Sequence, residues 1–242
     1  MTEPDNTTSP FARRGFIAAA VVVALVVIAA VVVAISGGGD SDDVPVGVGG
    51  PATAPATSAS ADAGDCDQPE GDQLPPVAAP ANEWELVGKL VAPTDPDGAG
   101  PGKVSDEGLR TCFAHDPTGA LFAAVNWFGM TSDVESMTAA LEEITAPGPG
   151  RDKLAGLLET DPTSVLGKGG YQVAGFTFLS YTGDVAMLNL ALDIAGTGQA
   201  SLTATLEWSG DDWLLQLPAD GEIGSSIKPL SSLAGYVPWS GA

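Results

Sequence analysis

The sequence predicts an α+β domain, with helices first and a curved antiparallel sheet laid over them, carried behind an apolar run and a polar tether. Three observations carry this. Apolar residues recur at helical spacing between residues 116 and 158. Beyond residue 170 the apolar period changes to two. Ahead of residue 83 the chain has a wholly apolar run, Gly15–Ile35, and then a segment almost free of large apolar side chains.

The apolar run, Gly15–Ile35, reads "GFIAAAVVVALVVIAAVVVAI" and holds neither charge nor proline. About 20 helical residues cross the ~30 Å hydrocarbon layer of a bilayer. Arg13 and Arg14 precede the run, and Asp40, Asp42 and Asp43 follow it. Basic flanks stay in the cytoplasm, which makes residues 1–14 cytoplasmic and the bulk of the chain extracytoplasmic, a single-pass plasma-membrane protein. The alternative is a cleaved signal peptide, whose apolar core runs to roughly 7–15 residues. The run here is longer, and Ala34-Ile35-Ser36 fits a cleavage site poorly.

Residues 36–82 are rich in Pro, Gly, Ala and acidic residues and contain no basic one. Such a segment buries too little apolar surface to offset the entropy of ordering and is expected to be a disordered tether. A flexible chain of this length reaches roughly 40 Å. Cys66 lies in it and Cys112 lies beyond it. In an oxidising compartment this pair is a disulfide candidate, which on the chain-entropy view stabilises by ~4 kcal/mol, and two free thiols are the alternative. One histidine and no CxxC leave no zinc site in view.

The folded domain is expected over residues 83–242. "EWELVGKLVAP" reads as a short strand, "TDPDGAGPGK" as a loop and "GLRTCFAHD" as extended chain. A helix follows in "DPTGALFAAVNWFGM", capped by Asp116 or Thr118, with Pro117 in its first turn and Leu121, Ala124, Val125 and Phe128 on one face. The next, "DVESMTAALEEIT", starts from a capping box of Ser132 and Glu135 and carries Val134, Met137, Leu141 and Ile144 as its stripe. "APGPG" ends it, and Leu154, Leu157 and Leu158 mark a third, weaker helix. Then come "YQVAGFTFLSYTG", "DVAMLNLALDIAG", "QASLTATLEWSG" and "DDWLLQLP", a four-stranded meander. Ala186, Leu188, Leu190, Leu192 and Ile194 face one way, as do Ala200, Leu202, Ala204, Leu206 and Trp208. Trp208 and Trp213 flank the turn Ser209-Gly210-Asp211 and are placed to pair across it.

The composition narrows the function classes. Lys and Arg total 9 against 31 Asp and Glu, a formal charge of −22, which repels nucleic-acid phosphates and excludes direct DNA binding as a natural role. No Walker loop and no GxGxxG after a strand occur. The only histidine, His115, adjoins Asp116, but a catalytic base needs a nucleophile and an orienting group beside it in space, and no motif marks either. It reads as part of a strand-to-helix junction. Ser225-Ser226-Ile227-Lys228 matches S-x-x-K without the further motifs that pattern needs. "LPADG", 217–221, reads as a strand end and turn. Asp95, Asp97, Gly100 and Asp106 sit at offsets of a calcium loop, but prolines interrupt it and no helices flank it. No catalytic, cofactor or metal residue is therefore assigned.

The order of anchor, tether, helices and meander resembles membrane-anchored proteins whose external domain has the nuclear transport factor 2-like (cystatin-like) cone fold. "AHDPTGALFAAVNWF" and "PLSSLAGYVPWSGA", with the high Ala, Gly, Val and Asp content, are similar to an actinobacterial family of uncharacterised membrane-anchored proteins. That resemblance, over residues 83–242, implies a non-enzymatic assembly subunit of a conjugation or type IV secretion apparatus. Its partners would be other membrane or secretion-channel proteins, or further copies of itself. The alternative is an accessory carrier of lipid or another small ligand, its cone pocket lined by Phe176, Phe178 and Trp208. The third reading is an enzyme of the same fold, with His115 as its one candidate.

Overall fold

The computed structural model describes Cys66, residues 68–166 and residues 170–241. The expected cytoplasmic segment 1–14, the apolar run 15–35 and the tether up to residue 65 lie outside the described residues. Among the described residues no helix is long and apolar enough to cross a membrane. The domain is mixed α and β with a large antiparallel sheet.

Its centre is helix α1, Pro117–Gly129. Asp116, in extended conformation, accepts a hydrogen bond from the Gly119 amide at 2.7 Å, so Asp116 rather than Thr118 is the cap, and Pro117 takes the first turn. The expected stripe is buried, but so is every other residue of α1 except Thr118. A helix apolar on all sides must be covered on all sides. Strands supply one cover from the large sheet and the other from an N-terminal hairpin, β1 (Glu83–Val87) and β2 (Leu90–Thr94). The sequence reading saw one strand there. Gly88, at φ 60°, reverses the chain with Lys89 and makes two. Inside α1, Asn126 donates to the Pro93 carbonyl of β2 at 3.0 Å and to Phe122 at 2.9 Å, fastening hairpin to helix.

Two short strands, β3 (Lys103–Val104) and β4 (Arg110–Thr111), pair ahead of α1. After it, a 3₁₀ turn spans Met130–Ser132 and α2 runs Val134–Glu143. The cap of α2 is Asp133, which accepts from the Ser136 amide at 2.9 Å, one residue later than the expected Ser132–Glu135 box. Ser132 is consumed by the preceding 3₁₀ turn, and an aspartate in the next position caps as well. Met137, Leu141 and Ile144 are buried while Val134, at the first turn, stays exposed. Arg151 donates to the Glu142 and Thr145 carbonyls and closes the end of α2. Helices α3 (Pro149–Thr160) and α4 (Pro162–Val165) complete the helical layer.

The meander is present as β5 (Tyr171–Tyr181), β6 (Val185–Ile194), β7 (Gly198–Trp208) and β8 (Trp213–Gln216). The sheet is larger than the expected four strands, because six take part. β9 (Ile227–Pro229) pairs with β7 beyond the end of β8, and β10 (Val237–Pro238) pairs with β5 at the other edge. The chain between them crosses the outer face of the sheet. Gly175, Ala191 and Ser201 stand in one row across that face, and the Ser201 hydroxyl lies 2.7 Å from that of Tyr236. A Cβ on Gly175 would come within 2.6 Å of the Val237 carbonyl oxygen, so only glycine admits the strap. No alternation pattern marks so short a strand as β10.

The strap ends on Trp239, which is 5% exposed and packs against Trp84 and Phe122 at ring-centroid distances of 4.8 and 5.7 Å, and edge-on to Phe176. It ties hairpin, α1 and sheet together. Trp239→Ala is expected to lower the free energy of unfolding by about 3–5 kcal/mol, the usual range for a buried aromatic, as read by urea titration. A loss below ~1 kcal/mol would show that the strap is only draped on the sheet.

Candidate functional site

The antiparallel registers put the two ends of α1 in different surroundings. Its N-terminal end meets the turns β5–β6 and β7–β8, and its C-terminal end meets the start of β5 and the β6–β7 turn.

The first end is sealed. Asp212, in the β7–β8 loop, is buried and accepts from the amides of Cys112 (2.6 Å), Phe113 (3.1 Å) and Trp213 (2.9 Å). Burial pushes its carboxyl up to about 6, although all three amide bonds pull the other way. Cys112 holds φ 66°, the left-handed region that a side chain disfavours, between this carboxylate and its disulfide to Cys66, with the Cα atoms 5.1 Å apart. Residues 68–73, within the segment read from composition as tether, bond to this end without helix or strand. The Gly71 amide donates to Asp116 at 2.9 Å, Gln73 donates to the His115 carbonyl at 2.8 Å, and Tyr181 donates to Gln73 at 2.8 Å. Composition registers only apolar surface. This arm is held instead by a covalent bond and by hydrogen bonds to groups that residues 112–116 present.

His115 sits in the same cluster. Its ring stacks on Trp208 at 4.2 Å and 13° and tilts against Trp213 at 5.7 Å, while Trp208 and Trp213 pair edge-on across their turn at 5.4 Å. His115 Nε2 lies 3.4 Å from Asp184 Oδ1 without making a hydrogen bond. No hydroxyl or thiol among the described residues is bonded to the ring, so the geometry sets no nucleophile beside it. Tyr181 is pushed up to about 12 by burial first and by Asp116, Asp184 and Glu70 next, which keeps it a neutral donor.

The other motifs fall apart in space. The Asp95 carboxylate accepts from the Ala99 amide of its own loop at 3.2 Å, and among the described residues no group of three or more His, Cys, Asp or Glu is placed to hold a metal. Ser225 belongs to the 3₁₀ turn Ile223–Ser226 and Lys228 to β9, not to the start of a buried helix. "LPADG" leaves β8 and turns at Gly221, whose amide donates to Pro218 at 2.8 Å.

Among the described residues the C-terminal end of α1 is open. A cavity of about 550 Å³ lies between helices and sheet. Its wall includes Phe128 of α1, Leu157 of α3, Val165 of α4, Leu192 of β6, Leu202 of β7 and Ile223 of the second 3₁₀ turn. Small-molecule sites range over roughly 300–1,000 Å³ and are mostly apolar with a few placed polar groups. The polar side chains of the wall are Thr131, which is buried, Tyr171, Ser164 and Glu222. The Thr131 and Tyr171 hydroxyls both donate to one carbonyl, that of Phe128, at 2.9 Å each, and stand 3.3 Å from one another. Burial raises the Tyr171 phenol, against the smaller effect of its bond with Thr131. The pocket residues expected from sequence do not line this cavity. Phe176 packs on Trp239 and Trp208 on His115, at or toward the sealed end. Alternation marks which side chains point inward, and it does not distinguish a filled core from a void.

These features define an α+β domain with one end locked by a disulfide, a buried carboxylate and aromatic stacking, and with an apolar cavity at the other. The chain belongs to the DUF8175 family, a domain of unknown function, whose match covers residues 47–238. Neither a curated protein nor a solved structure matches it.

The Asp212 shift carries a pH signature. With its folded value above the ordinary 3.8, its contribution is present in full below about pH 4 and is lost as pH rises through about 6, an effect of up to ~3 kcal/mol. Asp212→Asn, which keeps one acceptor oxygen and no titration, is expected to be less stable throughout. Its deficit against the native chain should widen as pH falls from 7.5 to 4.5. A deficit independent of pH, measured by urea unfolding, would show the carboxylate ionised over that range.

Proposed function

We propose that this domain is a non-enzymatic binding module that accommodates a small, largely apolar molecule between helices and sheet. The single observation that carries this reading is the cavity of about 550 Å³ with its aliphatic and aromatic wall. A partly open apolar recess of this size falls in the range of small-molecule sites, and its wall stays in contact with water until an apolar occupant covers it. Helices covered by a sheet and open at one end also support a cone-like description of the domain. Behind an N-inside anchor, it would hold its ligand outside the cell.

A second reading, the assembly subunit of a conjugation or secretion apparatus, draws on the order of segments in the sequence. Leu74 and Val77, 73% and 93% exposed on either side of Pro75-Pro76, support it as apolar side chains offered to a partner. One experiment separates the two. The full chain, isolated from its native membrane, is expected to carry a bound apolar small molecule by native mass spectrometry, and Leu157→Trp, which fills the cavity from the half-buried face of α3, to have lost it. Channel proteins retained on a chain that carries no such molecule would favour the assembly subunit instead.

A further inference from the structure

The polar corner of the cavity restricts the chemistry of its occupant, an inference that rests on the ligand-binding reading above. A hydroxyl has one proton to give and two lone pairs to receive with. Thr131 and Tyr171 spend their two protons on the Phe128 carbonyl and on one another. What the pair has left is acceptor capacity. Phe128 lies in the last turn of α1, whose final carbonyls form the negative end of a 13-residue helix, which favours positive partial charge and disfavours an anion. Ser164, also in the wall, gives its proton to the Asp161 carbonyl at 2.8 Å and is likewise left as an acceptor. The hydroxyls and the helix end act in the same sense, and they come from different elements of the fold.

We infer that the cavity selects an apolar molecule ending in a hydrogen-bond donor, a hydroxyl or amine, over one ending in a carboxylate or phosphate. A fatty-acid anion would set its oxygens against hydroxyl lone pairs and a helix C-terminus. It would be recognised only if a hydroxyl turned its proton away from the acceptor it now serves, at the cost of that hydrogen bond. An alcohol donates into the pair without disturbing it. The discrimination is steep because a site built around one sense of hydrogen bond leaves buried groups unpaired when the sense is reversed.

The test is displacement of N-phenyl-1-naphthylamine fluorescence from the full chain held in a lipid nanodisc, with an empty nanodisc as the partition control. Three competitors share a ten-carbon body: decan-1-ol, its methyl ether and decanoate. Decan-1-ol is expected to displace the probe at least tenfold more effectively than the ether and more effectively still than decanoate at pH 8. In Thr131→Val with Tyr171→Phe the preference for alcohol over ether is expected to fall below about threefold, a discrimination of one hydrogen bond. Equal displacement by all three, or stronger displacement by decanoate, would overturn the inference while leaving a ligand-binding cavity in place. Failure of the probe itself to bind above the empty nanodisc would overturn both. Should the double variant not fold, the three competitors against the native chain still decide.

Discussion

The structure depends on the burial of α1 from every side. Pro117–Gly129 offers almost no polar surface, and only a sheet on one flank and the β1–β2 hairpin on the other remove it from water. Fully burying a residue such as Leu121, Phe122, Val125 or Phe128 contributes about 1.5–3 kcal/mol each, so the helix is a large part of the stabilising side. The hairpin, the strap that ends in Trp239 and the six-stranded sheet are all consequences, each a surface laid against this one rod.

What a sheet and a hairpin cannot cover is the two ends of the rod, and the chain treats them differently. At the N-terminal end the capping carboxylate Asp116 and the triple acceptor Asp212 take five backbone amides between them, and the Cys66–Cys112 bond fastens the chain there. His115 fills the space between Trp208 and Trp213 with its own ring, which is why the only histidine reads as packing. At the C-terminal end the helix is followed at once by a 3₁₀ turn, and the short helix α4 covers less surface than a full one would. The space left over is the cavity. Its polarity is inherited from the helix that ends there, through the Phe128 carbonyl.

The sheet and the helices were legible in the sequence because burial on one face writes a period. Leu188, Leu190, Leu202 and Leu206 announced both the strands and the side they would hide. Features that rest on a few specific bonds left weaker traces. The β1–β2 turn needs only Gly88 and Lys89, the β9 and β10 additions are a few residues long, and the cap of α2 moved from Ser132 to Asp133. The contacts of residues 68–73 left no trace because they come from Gly71, Gln73 and a neighbouring disulfide rather than from apolar surface. The cavity was expected under Phe176, Phe178 and Trp208, the most conspicuous aromatics of the meander. It lies elsewhere, under Leu192 and Leu202, since Phe176 and Trp208 are packed against other rings.

Two unlike ends on one buried helix is a claim that methyl NMR under xenon pressure addresses without any assumption about the ligand. Xenon enters dry apolar voids and not close-packed interiors. The methyl signals of Leu154, Leu192, Ile194 and Leu202 at the open end are expected to shift with xenon pressure, and those of Leu206 and Leu215 beside the Trp208–Trp213 pair to stay in place. Shifts of equal size at both ends, or none anywhere, would contradict the division of the domain into a locked end and an open one.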